Sequence, residues 1–88
     1  LGRNYPNPFN AETIIPFELT EAADVTLTVF NLSGQGVADL VQGFRLAGTY
    51  HARWDGRGED GHHLASGTYL LRLQTGTLTQ TRKLLLLR

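Results

Sequence analysis

Two serines, three histidines and eight carboxylates are the side chains of this 88-residue chain that could do acid–base or nucleophilic chemistry. Neither Ser33 nor Ser66 lies in a Gly-x-Ser-x-Gly elbow, the strained turn that exposes a nucleophilic hydroxyl. Catalysis also needs a concave pocket with converging polar groups, and a domain this small leaves little room for one. The expectation is a chain that is not an enzyme.

His62 and His63 stand beside Glu59 and Asp60, a combination that could hold a divalent cation. Adjacent residues on an extended chain point to opposite sides, so both imidazoles meet one ion only in a special turn. Asp55, Glu59 and Asp60 offer oxygens for calcium, but the alternate-position acids of an EF-hand loop, closed by Glu, are missing. The plainer expectation is a solvated turn, with no metal and no cofactor. Asn31-Leu32-Ser33 is a formal glycosylation triplet of a kind that arises often by chance. The arginines are dispersed without interleaved aromatics, which argues against nucleic acid. No glycine-rich phosphate loop precedes a helix.

These side chains sit on a pattern of short alternating segments and turns. Its centre is Trp54-Asp55-Gly56-Arg57-Gly58-Glu59-Asp60-Gly61, followed by Ser66-Gly67-Thr68-Tyr69. Gly and Asp suit turns, and an indole fills a large core volume. Upstream, Thr13–Leu19 alternates with Ile15, Phe17 and Leu19 on one face. Pro16 cannot donate a ladder hydrogen bond, which places this strand at an edge or gives it a bulge. Asp24–Asn31 turns Val25, Leu27 and Val29 inward and Thr26 and Thr28 outward. Val37, Leu40, Val41 and Phe44 fit helical spacing as well as a strand, and are read as a short strand leading into an irregular connection. Gly48–Trp54 turns Tyr50, Ala52 and Trp54 to one face. Thr68–Gln74 turns Tyr69, Leu71 and Leu73 inward, and Leu78–Arg88 forms the last strand. No internal repeat or low-complexity tract is present.

The pattern predicts an all-β fold: a small Ig-like or fibronectin-like antiparallel β-sandwich of about seven strands, with turn signals at roughly 8–12-residue spacing. The expected core includes Phe17, Val25, Leu27, Val29, Tyr50 and Trp54. Residues 1–12 are expected to form an extended leader docked by Tyr5 and Phe9, and residues 13–88 the sandwich. A chain of this size buries about 60–65% of the surface that it exposes unfolded, so packing must stabilise it without disulfides; it contains no cysteine.

Net charge is zero but unevenly spread. All eight acids lie within residues 1–60, whereas residues 61–88 carry Arg72, Arg82, Lys83 and Arg88 and no acid. Leu84-Leu85-Leu86-Leu87 is far shorter than the roughly 20 apolar residues of a membrane span. No basic and then apolar leader opens the chain at Leu1, so no signal peptide is expected within it. The missing start methionine suggests a fragment excised from a longer precursor with its own signal peptide upstream.

The chain resembles the type A C-terminal sorting domain of the type IX secretion system, and is similar to the immunoglobulin-like domain of flagellar hook-capping proteins. The matching stretches are Asn4–Asn10, Thr13–Leu19, Val25–Gln35, Ala47–Tyr50, Trp54–Arg57, Ala65–Tyr69 and Thr81–Leu84. The resemblance implies a non-catalytic sorting module that directs an attached cargo across the outer membrane. It implies outer-membrane secretion machinery and a sortase-like peptidase as partners, with no nucleic acid or small-molecule substrate. The implied location is secreted or at the cell surface, by way of the periplasm. The family's Gly-x-Tyr falls on Gly67 and Tyr69. Its basic terminal motif falls on Lys83 and Arg88, with Leu84, Leu85, Leu86 and Leu87 between. These eight residues are the expected recognition set. Ala11 departs from the family's usual proline. The alternatives are a structural Ig-like domain or a carbohydrate-binding accessory domain of an extracellular or flagellar protein; the second would need an exposed aromatic platform. The leucine run is apolar on both faces, so part of it is expected to lie under the leader or remain open to a partner.

Overall fold

Alternation decides which residues of the first strand go inside. In β1 (Thr13–Leu19), Thr13, Ile15, Phe17 and Leu19 are buried, while Glu18 faces solvent. β1 pairs antiparallel with β4 (Gly48–Trp54) in a two-stranded sheet. The computed structural model, which describes all 88 residues, places a four-stranded sheet against this pair. Its strands are β2 (Ala23–Phe30), β3 (Gly36–Arg45), β5 (Gly67–Gln74) and β6 (Thr79–Leu86), in the order β3-β2-β5-β6. Every pairing is antiparallel. The two layers form an all-β, immunoglobulin-like sandwich around 15 buried apolar residues.

Six strands form where about seven were expected. Residues 55–66 contribute one isolated bridge, Arg57 to His63, and the leader contributes two more bridges, not a full strand. The short strand and irregular connection expected over Val37–Phe44 are in fact one ten-residue strand, β3. Its pairing with β2 slips twice: Leu27 opposes Val41 while Thr28 opposes Asp39, and Val29 opposes Ala38 while Phe30 opposes Gly36. Each slip leaves an unpaired residue, first Leu40 and then Val37. Bulges of this kind reset the two-residue alternation, which is why the apolar spacing of β3 mimics a helix.

Thr28 keeps the outward side of β2, as expected, but is buried there and donates to Asp39 Oδ1 at 2.9 Å. Val25, Leu27 and Val29 are each at most 1% exposed. Phe30 lies on the outer face, with the Arg72 guanidinium 4.4 Å above its ring.

The leader lies along β1 and then crosses to β6. Tyr5 exchanges two backbone hydrogen bonds with Ile14, and Gly2 N–H donates to Pro16 O. Pro16 thus turns its proton-less nitrogen toward the leader rather than into the β1–β4 ladder, which meets the edge requirement for a strand proline. Asn4, almost wholly buried, donates to Thr13 Oγ1, which in turn donates to Pro6 O. Phe9 then bridges to Leu86 in parallel sense.

Candidate functional site

The recognition set expected from the sequence gathers around β6, the last strand of the larger sheet. Alternation splits its leucines: Leu84 and Leu86 are buried, Leu85 is half-buried, and Leu87 is 49% exposed. Leu84 and Leu86 roof an aromatic group. Phe9 is tilted against Trp54 at 5.5 Å, and Trp54 meets the edge of Tyr69 at 5.4 Å. Trp54 is 2% exposed, and its indole N–H donates to Arg57 O at 3.0 Å. That bond satisfies the one polar atom of the indole and draws the acidic turn over it.

On its outer edge β6 is partly covered. Phe9 N–H donates to Leu85 O, Leu87 N–H donates to Phe9 O, and Leu85 N–H donates to Asn7 Oδ1. The leader therefore occupies the outward-facing backbone groups of Leu85 and Leu87. Lys83 and Thr81 have the same backbone parity and have no backbone bond to the leader.

Arg88 is held by the domain itself. Its guanidinium donates to Gly56 O at 2.6 Å and to Leu64 O at 2.8 Å, and its backbone N–H donates to Ser66 Oγ. Tyr69 is buried and donates from its hydroxyl to Ala65 O at 2.6 Å. Gly67 starts β5 opposite Leu86, with φ at 153°. Of the eight expected recognition residues, Tyr69, Leu84 and Leu86 are thus in the core. Lys83, Leu87 and Arg88 are exposed, and Gly67 and Leu85 are half-buried.

A short internal echo went unnoticed in the sequence. Gly48-Thr49-Tyr50 opens β4 as Gly67-Thr68-Tyr69 opens β5. Both glycines have φ near 150°, where a side chain is disfavoured. Both tyrosines donate to the carbonyl four residues upstream, Tyr50 to Leu46 O at 2.6 Å. The hydroxyl of a tyrosine corner reaches back in the same way. The two differ in burial: Tyr50, expected in the core, is half-buried and stacks on Phe17 at 5.2 Å.

The acidic turn binds the domain to itself. Asp55 Oδ1 accepts from Arg57 N–H, and Asp60 Oδ1 accepts from His62 N–H. Glu59 accepts from Asp39 N–H and donates its own N–H to Val37 O, gripping both sides of a β3 bulge. No group of three or more His, Asp or Glu side chains converges. The His62 hydrogen bond lowers the Asp60 pKa from 3.8. Arg88, and behind it Arg57, lower the His63 pKa from 6.5. Ser33 lies in a turn in which its backbone N–H donates to Asn31 Oδ1, and the Ser66 hydroxyl accepts from Arg88 N–H; neither hydroxyl is hydrogen-bonded to a histidine.

A two-layer sandwich with an aromatic group under its last strand and a leader clasping both sheets is an Ig-like module. The chain belongs to the FlgD Ig-like domain family, whose profile matches residues 4–78. Among solved structures it is similar to part of PorZ, described as an essential bacterial surface component of the type-IX secretion system of Porphyromonas gingivalis. That likeness has a TM-score of 0.69 at 18% identity and covers 98% of this chain but 11% of PorZ. No curated protein sequence matches the chain.

Proposed function

We propose that this domain is a non-catalytic secretion and sorting module that directs an attached cargo across the outer membrane through the type IX secretion system. The observation that carries this reading is the shared fold of the chain and a segment of a surface component of that system. On this reading the module works at the cell surface after crossing the periplasm. Outer-membrane machinery reads it, and a sortase-like peptidase cuts it from its cargo. The accessible part of the β6 edge, formed by Lys83, Leu85 and Leu87, is the recognition surface. Thr81 and Lys83 keep outward backbone groups that the leader does not take. This suits strand addition, in which backbone bonds give affinity and side chains such as Lys83 and Leu87 give selectivity. The absence of catalysis is part of the proposal; it is supported by the use of the Ser66 hydroxyl and the acidic turn in internal hydrogen bonds.

The family match favours a second reading, a structural Ig-like domain within a larger flagellar or extracellular assembly. A carbohydrate-binding role has less support, because Trp54 and Tyr69 point into the core.

The test fuses the chain to a reporter carrying an N-terminal signal peptide, in a bacterium with a type IX system. Deleting residues 83–88 would also remove Leu84 and Leu86 from the core, so failed export would report unfolding. Lys83→Glu and Leu87→Asp leave the core intact. Each is expected to hold the reporter in the periplasm while the domain stays folded by Trp54 fluorescence. Normal export of the double variant would favour the structural reading.

A further inference from the structure

We propose that the window between the leader and β6 binds a phosphate group or a tetrahedral oxyanion like it. The leader leaves the β6 edge between Leu1 and Asn7 to pair with β1, and opens a recess of ≈ 370 Å³ lined by Arg3, Asn4, Asn7, Thr81, Arg82 and Lys83. Its lining contains three cations, no acid and no apolar side chain. In a chain whose net charge is zero, this is a concentration of positive charge at one place.

None of the three cations has a counter-charge. The ion pairs of the domain are Arg53–Glu12, Arg57–Asp55 and His62–Asp60, all elsewhere. Arg82 Nε donates to Leu1 O, which holds that side chain beside the recess while its two terminal nitrogens make no bond within the domain. Arg3 and Lys83 side chains make none at all. Asn7 accepts from Leu85 N–H through Oδ1, and its amide nitrogen is unbonded. The backbone N–H groups of Thr81 and Lys83 face the same side. Fixed donors around an uncompensated charge favour an oxyanion. Guanidinium groups match tetrahedral oxygens in two-point contacts, and an ammonium adds a point charge.

The inference does not depend on the sorting proposal. The two share Lys83, but Arg3, Asn7 and Arg82 belong to this recess and not to the recognition surface, so loss of phosphate binding in Arg3→Gln is read apart from export. The phosphate could belong to a lipid headgroup or to a soluble phosphoryl compound, and the test separates them. The 88-residue chain is titrated with inorganic phosphate while its backbone and Asn7 side-chain amide NMR signals are followed, at constant ionic strength. Saturable shifts confined to Asn7 and residues 81–83 are expected. Arg3→Gln and Lys83→Gln should each weaken binding about tenfold, whereas Arg45→Gln, remote from the recess, should not. In parallel, the chain is floated with vesicles of phosphatidylcholine alone or mixed with phosphatidylglycerol. Retention on the mixed vesicles that Arg3→Gln abolishes assigns the headgroup. Saturable phosphate binding without retention assigns a soluble phosphoryl ligand. Neither binding, or shifts spread over every basic residue and unchanged by Arg3→Gln and Lys83→Gln, overturns the proposal.

Discussion

Arg88 donates to the carbonyl of Gly56 at 2.6 Å, across 32 residues of chain. With the bond to Leu64 O, the same guanidinium fastens both ends of the loop that follows Trp54 to the strand that roofs the indole. Charge-assisted hydrogen bonds to backbone carbonyls are stronger than neutral ones, and exposure discounts them. Arg88→Ala is expected to cost about 1–2 kcal/mol, measured by urea unfolding followed at Trp54. Arg88→Lys should recover only part of it, because an ammonium cannot span the two carbonyls as the fork does. An unchanged midpoint in Arg88→Ala would show that the latch contributes nothing.

The other partner of that bond has no room for a side chain. Gly56 is buried with φ at 75°, and an added Cβ would stand 2.7 Å from Arg88 Nη2 and 3.2 Å from Leu86 Cδ1. Gly56→Ala should therefore destabilise by about 2 kcal/mol, from backbone strain together with displacement of Arg88. In an Arg88→Ala background the same change should cost less, because the nearest clash is gone. Equal costs in both backgrounds would place the strain in the backbone and in Leu86 alone.

How far the sequence announces this architecture depends on the strand. β1, β2, β4 and β5 alternate cleanly, and their inward residues can be picked out by parity. β3 cannot be read that way, because two bulges shift the phase of its apolar positions at Leu40 and Val37. The leader's aromatics suggest docking, but the buried Asn4–Thr13–Pro6 relay depends on contacts between segments that no local pattern encodes. The candidate site is legible only as a composition, a basic and leucine-rich final strand. Its division into core leucines and open residues follows from the pleat. The engagement of Arg88 with Gly56 and Leu64 is a tertiary fact without a sequence signal. The paired Gly-Thr-Tyr segments were a signal in plain view, at Gly48 and Gly67.

Phe9 joins the leader to the core. It is 2% exposed, contacts Trp54, and both donates to and accepts from the backbone of the β6 edge. Phe9→Ala is expected to cost about 3 kcal/mol, within the range for a buried aromatic. It should also release the leader locally. Amide exchange at Leu85 and Leu87 should accelerate more than at Leu71 or Val29, because only the former two bond to leader residues. Uniform acceleration would mean that the leader and the sandwich open as one unit.

The two tyrosine hydroxyls make the same bond in different surroundings. Tyr69→Phe leaves Ala65 O without its partner beside the core and should cost about 1–2 kcal/mol. Tyr50→Phe frees Leu46 O at the surface, where water replaces the lost donor, so a loss of under about 0.5 kcal/mol is expected. Thermal or urea unfolding of the two variants side by side checks the order. A larger loss at Tyr50 would mean that its hydroxyl, and not its stacking on Phe17, holds the start of β4.

His63 gives the fold a pH dependence of known sign. Arg88 is the main cause of its lowered pKa and Arg57 the second, so the folded state resists a third positive charge there. Protons then bind more tightly to the unfolded chain, and stability rises with pH across the interval between the two pKa values. Its contribution is fully present above 6.5 and is lost as pH falls from there through the lowered folded value. Asp60 acts in a separate, more acidic window, since its carboxylate is favoured only above its own lowered value, beneath 3.8. Full exposure keeps the His63 effect small. It should appear as a shallow fall in melting temperature below 6.5 that His63→Gln removes. Arg88→Ala should move the His63 ring-proton titration midpoint upward toward 6.5. If the midpoint stays where it is, Arg88 does not set the imidazole's charge, and the latch and the titration are independent.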